Sequence, residues 1–197
     1  NALGVYNVLK NKDFELLDYK EEEGQTIEPR FFLPIIPTVL INGSSGISVG
    51  FSSNILNRNP IDIITACENL VRNKKIGEIN PFVPSFSGTY LQDQENSKRW
   101  IIRGKVQVQN TTTVKITELP PSMTFEKYES ILDDLIDKKV IVSYDDNCKD
   151  NIDYTIRFTR DVLSKYDTEK LVKLLRLEEY ETEIFSTLDE HGKLKIF

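Results

Sequence analysis

The chain is poor in the residues that usually advertise chemistry. It has one histidine, one methionine, one tryptophan and two cysteines among 197 residues. Cys67 and Cys148 stand far apart without metal-ligand spacing, which argues against a zinc site and a disulfide framework. They read as reduced, structural thiols of an intracellular protein. No apolar run approaches the length of a membrane span, and no secretory signal opens the chain. Positive charge is also short: the formal net charge is −6, a mark against nucleic-acid binding by the whole surface. A local basic patch remains compatible with that balance. The chain opens at Asn1 and its single methionine is Met123, which sets the expectation of a piece of a longer protein. What is abundant is core material, with 39% hydrophobic and 28% charged residues, as in a globular domain.

The segment from Phe32 to Gly50 carries the most information. Pro34 and Pro37 exclude a regular helix through Ile35-Ile36. Thr38 to Ile41 is β-branched or aliphatic throughout and predicts a buried strand. Asn42-Gly43 signals a turn. A loop of small residues follows, Ser44-Ser45-Gly46-Ile47-Ser48-Val49-Gly50, with the large aliphatic Ile47 set among glycines and serines. A core residue does not belong in that company. The pattern suggests a backbone shaped for close approach with an apolar tip facing outward.

Three readings of this loop compete. Backbone N–H groups of a Gly/Ser loop can cradle a phosphate, but no lysine follows as a Walker-type loop requires. Alternatively, small residues let the backbone lie against a duplex while Ile47 wedges between base pairs, at an unstacking cost of about a few kcal/mol. The plain alternative is a turn with Ile47 folded back into the core.

Around this segment the pattern alternates between strands and single helices. Residues 1–26 read as the tail of an element and an acidic connector broken at Glu21-Glu22-Glu23-Gly24. Asn59-Pro60 starts a helix to about Arg72, with Ile61, Ile64, Cys67 and Val71 on one face. Trp100–Gln109 and Thr112–Leu119 read as strands, and Pro120-Pro121 stops the second. Thr124 caps a helix with Phe125, Tyr128, Ile131, Leu132, Leu135 and Ile136 on its apolar face. Val140–Tyr144 and Ile152–Phe158 are further strands, and Asp167 caps a last helix carrying Leu171, Val172, Leu174 and Leu175. His191-Gly192 is a turn between short extended pieces. The fold class is α+β, with a mixed or antiparallel sheet and several packing helices.

Glu28-Pro29, Phe32-Leu33-Pro34-Ile35-Ile36-Pro37 and Leu40-Ile41-Asn42-Gly43-Ser44-Ser45-Gly46-Ile47-Ser48-Val49-Gly50 together resemble a segment of type IIA DNA topoisomerases. That family includes the gyrase A subunit, eukaryotic topoisomerase II and the medium subunit of T4-like phages. The likeness continues in order through Asn59-Pro60, Phe86-Ser87-Gly88-Thr89, Arg103-Gly104, Ile116-Thr117-Glu118-Leu119-Pro120, Asp150-Asn151-Ile152 and Asp189-Glu190-His191-Gly192-Lys193. It spans residue 27 to the C-terminus. The resemblance implies that residues 27–197 form the tower-like domain supporting one arm of bent gate DNA. Residues 1–26 would close the winged-helix region that holds the nucleophile, followed by the connector. The wedge role falls on Ile47, with Asn42, Ser44, Ser45 and Gly46 against the DNA. The rivals are a phosphate- or nucleotide-binding enzyme domain using the Gly/Ser loop, and a protein-interaction module.

The family's nucleophile is a tyrosine directly preceded by arginine. None of the eight tyrosines here follows an arginine, so no catalytic residue is expected in this chain; Tyr6 reads as helix packing. The resemblance implies Mg²⁺ and ATP in the intact enzyme, bound elsewhere. Asp145-Asp146 reads as a solvated turn in preference to a metal pair, and His191 as structural. Lys98, Arg99, Arg103, Lys105 and Lys115 gather on two neighbouring strands. They are candidates for phosphate contact or for an ordinary solvated face. Lys74-Lys75 is explained by a helix dipole. In eukaryotic relatives the strip before the His-Gly turn also meets DNA. Here Lys173 and Arg176 are followed by Glu178, Glu179, Glu181 and Glu183, poor company for phosphates. The implied partners are double-stranded DNA and a second copy of the parent, with a separate ATPase subunit in some relatives, and no membrane. The implied location is intracellular, in cytoplasm, nucleus or an infected host.

Overall fold

Side-chain caps start the three longest helices. Asn59 accepts from the Ile61 amide at 2.9 Å, Thr124 from the Lys127 amide at 3.3 Å and Asp167 from the Lys170 amide at 2.8 Å. Each cap satisfies an amide that the first helical turn leaves without an internal partner. The computed structural model describes residues 11–189 and 191–197. The element expected before residue 10, Tyr6 within it, and Glu190 lie outside those residues. The described chain divides into two compact units, one of residues 11–46 and 55–81, the other of 47–54 and 82–197.

In the first unit a 3₁₀ turn over Asn11–Leu16 precedes a hairpin, β1 (Tyr19–Glu22) and β2 (Gln25–Pro29). The acidic stretch expected to be a connector is therefore the turn end of an antiparallel pair. Glu23 and Gly24 make the turn, both at positive φ, and Lys20 pairs with Glu28 at 2.8 Å. The expected strand at Thr38–Ile41 is a short helix instead, α1 (Thr38–Asn42). Pro37 sits at its N-cap, and the helix buries none of its residues. A run of β-branched residues favours a strand only when a pleated, packed surface receives it, and none does here.

Next come β3 (Ser44–Ser48) and β4 (Phe51–Ile55), which pair as a two-stranded sheet across a turn at Val49-Gly50. Helix α2 (Pro60–Val71) starts at the expected Asn59-Pro60. Its expected apolar face is not the buried one. Ile61, Ile64 and Val71 are exposed, and Ile63 is the residue it buries.

The second unit holds the main core. Strands β5 (Thr89–Gln92), β6 (Arg99–Arg103), β7 (Lys105–Val108) and β8 (Thr113–Glu118) lead to helix α3 (Phe125–Asp137). Strands β9 (Ser143–Asp146) and β10 (Tyr154–Arg157), helices α4 (Arg160–Leu163) and α5 (Thr168–Leu174), and strands β11 (Glu178–Thr182), β12 (Ser186–Leu188) and β13 (Leu194–Ile196) complete it. One sheet runs β7-β8-β10-β9, another β11-β6-β5, both antiparallel, and β12-β13 form a hairpin. The fold is thus α+β. Strand β8 alternates strictly, burying Val114, Ile116 and Glu118. Val114 and Ile116 meet Tyr128, Leu132 and Leu135 of α3, Tyr154 and Ile156 of β10, and Leu171, Val172, Leu175 and Leu177 from α5 and the turn after it. Tyr128 and Tyr154 pack edge to face at 5.3 Å.

The single strand expected over Trp100–Gln109 is two strands in two sheets. The break is Gly104, whose amide donates to the Leu177 carbonyl at 2.9 Å. A Cβ there would lie 2.3 Å from the Glu118 carbonyl oxygen, so only glycine lets the chain pass between sheets at this point. The His191-Gly192 turn stands as expected. Asp189 Oδ1 accepts from the amides of His191 and Lys193 at 2.9 and 2.8 Å, which closes the β12–β13 hairpin.

Candidate nucleic-acid interface

The Gly/Ser loop is one strand of a hairpin: Ser44–Ser48 pairs with β4, which commits alternate backbone groups to that partner. An extended strand does not converge its amides on one point as a phosphate cradle requires. The turn closes at Gly50, where φ is +91°, a conformation that a side chain would resist. Asn42, Ser44, Ser45 and Gly46 are all exposed at the entry to the hairpin. Ile47 is 93% exposed, so the expected outward tip is what the fold presents. Val49, which the sequence reading passed over, is 100% exposed. The available signal was composition: like Ile47, Val49 is an aliphatic residue set among serine and glycine, and the structure places it in the turn that follows β3.

The second unit holds the basic residues, but not as one strip. Lys98 is exposed just before β6, Arg99 and Arg103 lie on β6, Lys105 on β7 and Lys115 on β8. They therefore occupy three strands and two sheets, where two neighbouring strands were expected. Most are already engaged. Arg99 pairs with Asp93 and lies over the Tyr180 ring at 5.2 Å. Arg103 reaches Glu178 at 2.7 Å and Glu169 at 2.8 Å. Lys115 pairs with Asp153 at 2.9 Å. Lys105 Nζ donates to the Ser87 hydroxyl at 3.2 Å, and that hydroxyl donates to buried Glu118 at 2.6 Å.

The acidic strip supplies one of these partners, Glu178. Strand β11 lies antiparallel to β6 with Glu178 opposite Arg103 and Glu181 opposite Trp100. Glu179 accepts from Ser122, and Glu183, buried, accepts from the Trp100 indole at 2.7 Å. Among these carboxylates Glu178 holds one of the protein's own cations, Arg103, while the others take neutral donors. Burial alone would raise the Glu178 pKa, but the Tyr180 hydroxyl and the Arg103 guanidinium outweigh it and hold it below its ordinary value. A depressed carboxylate pKa stabilises the fold above the unfolded value of about 4.3 and loses that contribution as pH falls through the folded one. In the intact protein, Glu178→Gln is expected to flatten the loss of β6 amide protection on acidification below about pH 4. Hydrogen exchange checks this, and coincident acid profiles for variant and parent would overturn it.

The remaining sequence candidates have local duties. Asp145 pairs with Arg157 at 2.7 Å and Asp146 accepts from the Cys148 amide at 2.8 Å. Both stand at the end of β9, where a free turn was expected. Among the described residues no group of three His, Cys, Asp or Glu side chains is arranged to hold a metal ion. Nor, among them, is any helix long and apolar enough to cross a membrane.

The comparisons with known proteins cover nearly the whole chain. Residues 5–196 match the family described as the A subunit of DNA gyrase/topoisomerase IV. The mitochondrial DNA topoisomerase 2 of Dictyostelium discoideum is 34% identical over 93% of this chain, which spans 14% of that relative. The DNA topoisomerase medium subunit of Enterobacteria phage T4 is 29% identical over 98% of this chain and 43% of its own length. Among solved structures, the DNA-binding, cleavage and re-ligation domain of Plasmodium falciparum topoisomerase II superposes with a TM-score of 0.82 at 31% identity. That match covers 96% of this chain and 26% of the other. This chain thus spans only a part of the relatives it matches. With the fold, the hairpin and these matches in agreement, the chain belongs to the family of DNA gyrase/topoisomerase IV A subunits.

Proposed function

We propose that this chain docks and bends the gate duplex within the breakage–reunion region of an ATP-dependent type II DNA topoisomerase. The observation that carries the reading is Ile47, a large aliphatic side chain 93% exposed near the end of a two-stranded hairpin. Such exposure is costly in water and useful against stacked bases. A wedge between two base pairs costs about a few kcal/mol in unstacking, offset by the wider contact of a bent duplex. Asn42, Ser44, Ser45 and Gly46 bring no bulky side chain to the hairpin base, which suits close approach to a DNA backbone. Bending is cheapest at flexible pyrimidine–purine steps, so sequence preference arises without base hydrogen bonds.

Residues 27–197 act as the tower-like support and residues 1–26 as the end of the nucleophile-bearing region. The nucleophilic tyrosine, the Mg²⁺ site and the ATP site belong to other parts of the parent. The described residues provide no fitting carboxylate cluster, so no step through the metal is assigned to them. The parent works inside the cell as a homodimer, with its ATPase on the same chain or on a separate subunit.

The basic residues divide by their partners. Arg99 and Arg103 already face carboxylates, whereas Lys98 is exposed and Lys105 reaches a neutral hydroxyl. Each phosphate contact contributes about 0.9 to the slope of log affinity against log salt. Lys98→Ala with Lys105→Ala, in the intact enzyme, is therefore expected to lower that slope by about 1 to 2. Arg99→Ala with Arg103→Ala should lower it less. Fluorescence anisotropy with a labelled duplex checks this. An unaltered slope in the lysine pair returns those residues to a solvated face, and no duplex binding at low salt overturns the reading itself.

A further inference from the structure

A two-stranded hairpin is at best marginally stable in water. A wedge on its end meets the resistance of stacked bases, so something must hold it at a fixed height. Among the described residues, β4 carries a clamp of this kind. Asn54 and Ile184 exchange both backbone hydrogen bonds, at 3.0 and 2.9 Å. The Asn54 side-chain amide donates to the Thr182 carbonyl at 2.8 Å and to Glu181 Oε2 at 3.4 Å, while the Ser53 hydroxyl donates to the Ile184 carbonyl at 3.3 Å. The receiving segment is itself fixed. Glu183 is buried, its amide donates to the Lys98 carbonyl at 2.7 Å, and its carboxylate takes the Trp100 indole proton in a hydrogen bond.

We propose that Asn54 is the positioning residue that sets the reach of Ile47, by locking the hairpin to the β11–β12 connection and through it to β6. This rests on the wedge reading of Ile47. The choice of side chain is chemical. Both Nδ2 hydrogens face oxygen acceptors, one of them a carboxylate. Aspartate has nearly the same shape but would set its own oxygens against those acceptors. Lys98, whose carbonyl takes the Glu183 amide, stands just before β6, so the clamp ties the wedge to a residue that meets phosphate in the proposed function.

The test uses the intact enzyme and a duplex labelled at both ends, with bending read by energy transfer and affinity by anisotropy. Asn54→Ala should lower the bent-to-straight ratio of bound DNA by about fivefold, and Asn54→Asp by about tenfold or more. Affinity should stay within about twofold, since phosphate contacts dominate it. In an Ile47→Ala background neither change should lower the ratio further. Full bending in Asn54→Asp, alongside lost bending in Ile47→Ala, overturns this proposal and leaves the wedge standing. Normal bending in Ile47→Ala removes the wedge reading and the clamp's role with it. Bending and affinity lost in equal ratio, or a further loss in the Ile47→Ala background, would mean general collapse of the region and also overturn the proposal.

Discussion

Ile47→Ala in the intact enzyme is expected to leave gate DNA bound but largely straight. The side chain loses three carbons, at about 0.8 kcal/mol per methylene buried between bases, or about 2 kcal/mol in all. That corresponds to roughly a thirtyfold fall in the ratio of bent to straight bound DNA. Affinity should fall much less, because phosphate contacts supply most of it and are made elsewhere on the surface. The fold should not notice, since Ile47 is 93% exposed and supports no core. Energy transfer between labelled duplex ends, beside anisotropy on the same samples, separates the two quantities. Unchanged bending sinks the wedge. Val49→Ala offers a graded comparison: Val49 is fully exposed but sits in the turn itself. A smaller loss there would place the insertion point at Ile47 and leave Val49 against the groove wall.

Much of this was legible in the sequence because it is local. Asn59, Thr124 and Asp167 cap helices through amides two or three residues away, so the signal and its effect share one window. Asp189 closes its turn in the same way. The outward Ile47 was readable from its neighbours: an aliphatic residue among glycines and serines has no element to bury it. What could not be read depends on distant parts of the chain. Thr38–Ile41 has the composition of a buried strand, yet no sheet receives it and it coils after Pro37. The apolar stripe of α2 was visible, but periodicity does not say which residues are covered, and Ile63 is the buried one. Arg103 and Lys115 looked like a phosphate surface because their carboxylates come from distant parts of the chain. Arg103 meets Glu178 and Glu169, and the acidic strip judged hostile to DNA contributes the first of these from β11.

Gly104→Ala tests the least expected feature, the division of one apparent strand between two sheets. An added Cβ would lie 2.3 Å from the Glu118 carbonyl oxygen and 3.1 Å from its carbonyl carbon. Both are backbone atoms, so no rotamer change relieves the clash. Something rigid must move, and each direction is costly. Shifting β8 disturbs Val114 and Ile116, both wholly buried. It also disturbs Glu118, whose carboxylate holds the Ser87 amide and hydroxyl. Moving β7 away strains the hydrogen bond that the Gly104 amide donates to the Leu177 carbonyl, which ties the end of β6 to the turn after α5. Overpacking of this kind typically costs about 1–3 kcal/mol, and the lack of a yielding side chain places this case at the upper end. The expected result is a lower denaturant midpoint for this region, with faster amide exchange on β8 and β10, followed in the intact protein by hydrogen exchange. A Lys105→Ala change at the neighbouring position should leave that protection nearly intact, because its side chain is exposed. If Gly104→Ala exchanges like the parent, the two sheets have slack at their junction. The glycine would then be a tolerated residue and not the condition for the chain's passage from β6 to β7.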